Sequence, residues 1–162
     1  MAVSDLVILE ADHKRFSTIL QRLCQDANAR VVFLIDKNGQ QLASAGDVAA
    51  LDPTSLASLA AGNVAATDGL AKLLGEREFS ILFHEGEHDN LHINVVGGKA
   101  ILLVIFDERS SLGLVRLRVK KAGAELAKVF EDIQKKTERA SAKGGTPFSE
   151  ITDDDIDNLF SV

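Results

Sequence analysis

The chain has 162 residues, and its formal net charge is −6 at pH 7. This length fits one domain followed by a short tail. The acidic balance argues against nucleic-acid binding, which requires clustered lysines and arginines. No apolar run approaches the roughly 20 residues of a membrane span, and the first residues lack the pattern of a secretory signal. The single cysteine, Cys24, fits a reducing compartment, so we expect a cytoplasmic protein.

The first part of the chain predicts a helix followed by a hairpin. Apolar residues recur at helical spacing between about Glu10 and Ala27, with charged residues between them. A run rich in β-branched and aromatic residues follows over 31–36. Asn38-Gly39 comes next and precedes a second β-prone run, which is a strong hairpin signal because both residues tolerate positive φ.

The rest of the pattern predicts a helix, three strands and a last helix. Asp52 and Pro53 are a cap and an early-helix proline, and Gly75 is typical of the position just past a helix end. Short Gly-rich or acidic turns separate the strands, so neighbouring strands should run antiparallel. The predicted bounds are 54–74 for the helix, 79–87, 89–98 and 99–108 for the strands, and 111–137 for the last helix.

This order, α-β-β-α-β-β-β-α, predicts an α+β fold with a five-stranded antiparallel sheet and helices on both of its faces. The segment 99–108 is nearly all apolar, so we expect it at the sheet centre. We divide the chain into a folded domain over 1–137, a flexible linker over 138–149 and an acidic amphipathic tail over 150–162.

The second predicted helix has two unlike faces. At about 100° per residue, one arc holds most of the leucines and is predicted to face the core. The opposite arc holds small residues, and we interpret it as a docking face for another protein, because small residues let another backbone approach closely. The alternative is an Ala-rich face that is exposed to solvent or covered by a loop. The leucine arc contains Leu56, Leu59, Asn63, Leu70 and Leu74, and the small-residue arc contains Ser58, Ala61, Ala65 and Gly69, with Asp68 and Lys72 beside them.

The tail combines acidic residues with large apolar ones. A short helix starting near Thr152 would place the acids of 153–155 in its first turn, where the helix dipole favours negative charge. Such a helix is too short to be stable alone, so it needs a surface on its own domain or on a partner. The alternative is a disordered acidic tail that keeps the protein in solution. The apolar residues that would share one side of the helix are Ile151, Ile156, Leu159 and Phe160.

Two features suggest catalysis but lack the context for it. The segment His84-Glu85-Gly86-Glu87-His88 matches the HExxH pattern of zinc proteases. That pattern requires a helix, and its flanks predict a strand and a turn. Cys24 lies beside the apolar face of the first helix, which favours a buried structural thiol over a nucleophile. We therefore assign no catalytic residue, metal or cofactor.

Four stretches carry a resemblance to a known family. They are VVFLIDKNGQ, TSLASLAAGNVAATDGLAKLLGE, FHEGE and ILLVIFDERSSLGLVRLRVKKA. Together with the order of elements, they resemble bacterial members of the Roadblock/dynein light chain family that regulate Ras-like GTPases of the MglA type. The ending, ITDDDIDNLF, resembles the tail of the myxobacterial form, so the resemblance covers nearly the whole chain.

The resemblance implies a regulatory homodimer without an active site of its own. It implies stimulation of GTP hydrolysis in bacterial cell polarity and gliding motility, and enrichment at a cell pole. The strand that pairs across the dimer would lie around Phe79, Ile81 and Phe83. Family members align the GTPase's own catalytic residues without inserting an arginine. This argues against Arg77 and Arg109, which lie in predicted connecting segments, as arginine fingers.

The resemblance also implies where the GTPase binds. Its switch regions would contact the second helices of the dimer, although Asp68 puts a charge into that face. In the myxobacterial form the acidic tail promotes nucleotide exchange, a role that would fall here to Ile156, Leu159 and Phe160. The implied GTPase interface, which coincides with the small-residue arc, consists of Ala61, Ala65, Asp68, Gly69 and Lys72.

Two other functions are compatible with the sequence. One is a dimeric adaptor in the manner of dynein light chains, which would leave hydrolysis unchanged. The other is a small-molecule sensor, since related folds bind ligands between helix and sheet. A sensor should show a polar cluster inside its core, and Asn63 is the one residue that suggests it.

Overall fold

In the computed structural model, which describes residues 6–142, three helices and five strands follow one another in the predicted order. Within this range, none of the helices combines the length and the apolar character that crossing a bilayer requires. The bounds are α1 Glu10–Asp26, β1 Val31–Asp36, β2 Gln41–Gly46, α2 Pro53–Leu74, β3 Ile81–Glu85, β4 Asn90–Val96, β5 Ala100–Phe106 and α3 Leu112–Ala142, with a 3₁₀ turn at Val48–Ala50.

The turn between β1 and β2 is held by the buried carboxylate of Asp36. One oxygen of this carboxylate accepts the backbone N–H of Asn38 at 2.9 Å and that of Gln40 at 2.8 Å. Gly39 has a φ of +90°, a conformation that glycine adopts without steric cost. The predicted hairpin is therefore confirmed.

Both ends of α2 follow the local signals of the sequence. The Asp52 carboxylate accepts the backbone N–H of Ser55 at 3.3 Å and its hydroxyl at 2.6 Å. These hydrogen bonds stabilise the ionised form and lower the pKa of Asp52. Pro53 is the first residue of the helix, and Gly75 ends it in the left-handed conformation, with a φ of +76°.

The sheet is antiparallel throughout and has the strand order β2-β1-β5-β4-β3. β5 lies in the middle, and it pairs with β1 from Val31 opposite Ile105 to Asp36 opposite Ala100. Every residue of β1 and β5 is buried. The prediction of a central apolar strand over 99–108 is confirmed.

The two faces of the sheet carry separate apolar cores. Alternate residues of β5 point to opposite faces, so that Leu102 and Val104 pack towards α1 and α3, whereas Ile101 and Leu103 pack towards α2. One face is thus covered by two helices, and the other is covered by α2 alone.

Ion pairs join α1 to α3. Arg15 lies 3.2 Å from Asp132, and Arg22 lies 3.2 Å from Glu125. Residue numbers rise along one helix as they fall along the other, so the two helices run antiparallel. These side chains are partly exposed to water, where such pairs contribute about 0–1 kcal/mol each, so the buried apolar residues hold the layer together.

The prediction that the last helix stops at Thr137 is wrong, because α3 continues to Ala142. Thr137 is buried, and its hydroxyl oxygen accepts the backbone N–H of Val7 at 3.2 Å. The following Glu, Arg and Ala residues are strong helix formers, so residues 138–142 belong to the helix and not to the linker. The remaining linker, 143–149, and the tail with Ile156, Leu159 and Phe160 lie outside the described residues.

We predict that Gly46→Ala lowers the free energy of unfolding by about 1–3 kcal/mol. Gly46 has a φ of +91°, and a Cβ atom there would lie 2.2 Å from the backbone oxygen of Arg30. Urea unfolding followed by circular dichroism measures the change. Gly113→Ala is the control, because a Cβ at Gly113 meets nothing within 4 Å and should leave stability unchanged or slightly higher. Equal free energies of unfolding for the two variants would contradict the close approach of Gly46 to the backbone oxygen of Arg30.

Candidate protein-interaction surface

The outward face of α2 differs from the predicted one. The sequence pattern assigned Leu59, Leu70 and Leu74 to the core, but their side chains are 75%, 57% and 70% exposed. Ala61, which was predicted to lie on the docking face, is 8% exposed and packs against the sheet. Both predictions are wrong for these residues. The residues of α2 that are buried are Ala57, Ala60, Ala61, Val64, Thr67 and Ala71.

The reason lies in the size of the side chains beneath the helix. The sheet face under α2 is already filled by large residues, among them Phe33, Ile35 and Leu103. Small residues on the helix let its backbone approach this face closely, as tight packing requires. Leucines in those positions would hold the helix away from the sheet, so they point outward.

The outward face of α2 is divided into two strips. The leucine strip consists of Leu59, Leu70, Leu73 and Leu74, which are 57–84% exposed and extend over about 22 Å of helix. The small-residue strip consists of Ala65 and Gly69 together with Ser58, Gly62 and Lys72, all of them exposed. Asp68 is half-buried beside it. Of the predicted GTPase-contact residues, Ala65, Gly69 and Lys72 are therefore together and accessible.

Contacts with the sheet show which way each strip faces. Asn63 Nδ2 lies 3.3 Å from Nε2 of His84 on β3, so the leucine strip, which is adjacent to Asn63 around the helix, lies on the β3 side. On the other side, a Cβ atom at Gly39 would lie 3.2 Å from Cα of Ser58. The small-residue strip therefore faces the β1–β2 hairpin. This pairing of Asn63 with His84 also removes Asn63 as the polar core residue of a sensor.

The β3 edge of the sheet is open. β3 pairs with β4 and has no neighbour on its other side among the described residues. Ile81 is 50% exposed, whereas Phe83 is half-buried and stacks on Phe106, with ring centroids 6.1 Å apart. Phe79 lies before the strand and is half-buried. Of the predicted pairing residues, Ile81 presents its side chain at this edge, and Phe83 contributes its backbone.

Several residues that the sequence marked for chemistry have other roles. His84 and Glu85 end a strand, and residues 86–89 form a turn, so the HExxH pattern is not helical. Residues 6–142 contain no cluster of three side chains arranged to bind a metal. The Cys24 thiol donates to the Ala29 carbonyl oxygen, 3.3 Å away, and burial raises its pKa, which disfavours a nucleophilic thiolate.

The two arginines of the connecting segments have different surroundings. Arg109 donates to both carboxylate oxygens of Asp107 at 3.0 and 3.1 Å, which lowers the pKa of Asp107. The planar fork of its guanidinium is thus occupied within the chain. Arg77 is exposed.

A second concave region was not predicted from the sequence. The β4–α3 groove has a volume of about 560 Å³ and is lined by Ile81, His92, Asn94, Val96, Arg116, Val119 and Lys120, among others. The His92 side chain is 1% exposed, and neither ring nitrogen has a hydrogen-bond partner in the described part of the chain. Burial, and then the charge of Arg116, lower the pKa of His92. The alternation in β4 places His92 on the face opposite Ile93, but nothing in the sequence marks that face as covered by α3.

Comparison with known proteins adds a family assignment to this geometry. The Roadblock/LC7 domain model matches residues 15–106. The structure of MglB from Myxococcus xanthus is similar, with 57% sequence identity over 79% of this chain and 96% of that chain, and a TM-score of 0.75. The gliding protein MglB from Thermus thermophilus has 38% identity over 78% of this chain and 96% of its own, with a TM-score of 0.72. No match was found among curated protein sequences.

We predict that His92 makes the folded state less stable at acidic pH. Its pKa in the folded state lies below the ordinary 6.5, so the unfolded chain binds a proton that the folded chain does not. The contribution of His92 to the free energy of unfolding is complete above pH 6.5. It is lost as the pH falls towards the folded pKa, at up to about 1.4 kcal/mol per pH unit. His92→Gln should flatten this part of the profile, measured by urea unfolding from pH 7.5 to 5. An unchanged slope in the variant would contradict the prediction.

Proposed function

This chain belongs to the Roadblock/LC7 family, and from that premise we propose that it is a homodimeric regulator of a small Ras-like GTPase. In this proposal it stimulates GTP hydrolysis by a GTPase of the MglA type, in bacterial cell polarity and gliding motility. The observation that carries the proposal is the leucine strip of α2, which lies beside the open edge of β3.

A single chain leaves this apolar surface in water. Burying one leucine side chain contributes about 1.5–3 kcal/mol, and four leucines follow one another along the strip. An open strand edge also offers unpaired N–H and C=O groups to another strand. A second copy of the chain satisfies both needs, because pairing of β3 with the partner's β3 brings the two α2 helices side by side. The solved MglB with a tetrameric arrangement, 37% identical to this chain, is itself an assembly of several copies.

The small-residue strip is the surface that we assign to the GTPase. It faces away from β3, so it stays accessible when the leucine strips pack together. Its alanine and glycine positions allow close approach of a partner's backbone, and Lys72 supplies a positive charge at its edge. Ala61 is part of the core and takes no part in this contact, whereas half-buried Asp68 borders it.

The proposed mechanism is differential binding. The dimer binds the switch regions more tightly when they are arranged for hydrolysis, and thereby increases the population of that arrangement. The charges that stabilise the transition state then belong to the GTPase itself, held in place before the reaction. The hydrogen bonds between Arg109 and Asp107 support this mechanism over insertion of Arg109 as a finger.

The tail completes the proposal. Ile156, Leu159 and Phe160 would contact the GTPase away from the dimer's α2 helices and promote nucleotide exchange. The regulator would act in the cytoplasm and be enriched at a cell pole. The similarity to MglB of Myxococcus xanthus and to the gliding protein MglB of Thermus thermophilus supports this cellular setting.

We predict that Leu70→Glu converts the dimer to a monomer at micromolar concentration. A charge at the centre of the leucine strip should weaken the dimer by about 2 kcal/mol or more, about thirtyfold in Kd. Size-exclusion chromatography with light scattering gives the mass. Leu117→Glu is the matched control, because Leu117 is 62% exposed on α3 and lies away from the strip. A dimer that persists in the Leu70 variant, or a monomeric wild-type chain, would refute the assignment.

We predict that Ala65→Arg and Gly69→Arg abolish the stimulation of GTP hydrolysis without changing the dimer mass. A long charged side chain there keeps the switch regions at a distance, and a tenfold or greater loss of rate corresponds to about 1.4 kcal/mol. Single-turnover hydrolysis by the cognate GTPase, with and without this protein, is the measurement.

Ala124→Arg on exposed α3 is the control for this experiment. It should keep the wild-type stimulation. If both α2 variants stimulate normally, the small-residue strip is not the GTPase surface. If the wild-type dimer binds the GTPase but leaves the rate unchanged, the protein is instead an adaptor.

A further inference from the structure

The β4–α3 groove has a charge opposite to that of the chain as a whole. The chain carries a formal net charge of −6, yet the charged residues lining the groove are Arg116 and Lys120, with no acidic side chain among them. Within residues 6–142, neither of these cations forms an ion pair. A surface with two unpaired cations attracts an acidic occupant.

The floor of the groove is apolar but contains unsatisfied polar groups. Ile81, Val96 and Val119 provide the apolar lining. Buried His92 presents an imidazole with two unpartnered nitrogens, and such groups normally find a partner. Gly123 lets α3 lie close to β4, since a Cβ atom there would be 3.3 Å from Asn94 Nδ2. The groove therefore fits an occupant that combines carboxylates and hydrogen-bonding backbone with large apolar side chains.

We propose that this groove binds the acidic tail of the protein itself, residues 150–162. After Ser149 the tail contains five acidic residues and no basic one, and Ile156, Leu159 and Phe160 provide apolar side chains. Both properties complement the groove. The contact needs no GTPase, so it can be tested apart from the proposed regulation, and Ile81 is the one groove residue that also lies at the β3 edge assigned to the dimer.

The tail is long enough to reach the groove. Lys120 precedes the last described helical residue, Ala142, by 22 positions, which is about 33 Å along the helix axis. The 13 residues from Lys143 to Asp155 can span up to about 43 Å when extended. Ile156 can therefore return along α3 to the level of Lys120. A tail held in this way is withheld from other partners until they compete for it.

The test uses the full-length chain with a nitroxide spin label on Ser161→Cys, in a Cys24→Ser background. Paramagnetic broadening of backbone amide signals reports which surface the label visits. We expect selective broadening at Ile81, Asn94 and Lys120, and none at Gly39 in the β1–β2 hairpin. Even broadening over the surface, or selective broadening along the leucine strip, would overturn the proposal.

Charge reversal distinguishes binding in the groove from simple proximity. Arg116→Glu together with Lys120→Glu should reduce the docked population by about tenfold or more, because two attractions become repulsions. Lys128→Glu together with Arg139→Glu is the matched control, since it changes the net charge equally on α3 outside the groove, and it should retain the broadening. Equal loss in both pairs would refute the groove as the site. If the reversed pair fails to fold, Arg116→Gln with Lys120→Gln provides the same comparison at lower charge.

Discussion

The central constraint on this structure is that the β1–β5 pair is buried on both faces but receives unequal cover. The face beneath α1 and α3 is closed by two antiparallel helices, whereas the opposite face depends on α2 alone. A single helix covers a sheet well only if its backbone lies close, and α2 meets the sheet with alanines, a valine and a threonine. The leucines of the helix are thereby left outside. The exposed apolar surface is thus a consequence of how the core is packed.

The same constraint explains why the leucine strip and the open sheet edge lie next to each other. The hydrogen bond between Asn63 and His84 ties the flank of α2 to β3, so the strip continues towards the unpaired strand. An apolar helix face and an unsatisfied backbone edge each favour association, and here a partner can cover both with one contact. The small-residue strip lies beside the leucine strip, on the flank of the helix nearer the β1–β2 hairpin, so a partner on the leucine strip leaves it uncovered.

Local signals in the sequence were sufficient to predict the elements and their order. Gly39, Asp52-Pro53 and Gly75 act through their own backbone preferences, and the structure confirms each of them. Which side of α2 faces the sheet could not be predicted in this way. The pattern of the helix alone contains two plausible inner faces, and the choice between them depends on the volumes of Phe33, Ile35 and Leu103 across the interface. Hydrophobic periodicity ranks leucine above alanine for burial, and here tight packing reversed that rank.

His92 was missed for a related reason. Polar residues at alternate positions of a strand usually lie on a solvated face, and His92 and Asn94 follow that pattern. Their face is instead partly covered by α3, which approaches β4 closely at Gly123. The cations of α3 that line this face have no acidic partner in the described part of the chain, whereas Arg15 and Arg22 are paired with carboxylates of α3. The ion pairs of Arg15 and Arg22 thus join α1 to α3 at the surface, whereas Arg116 and Lys120, which line the β4–α3 groove, remain available for binding.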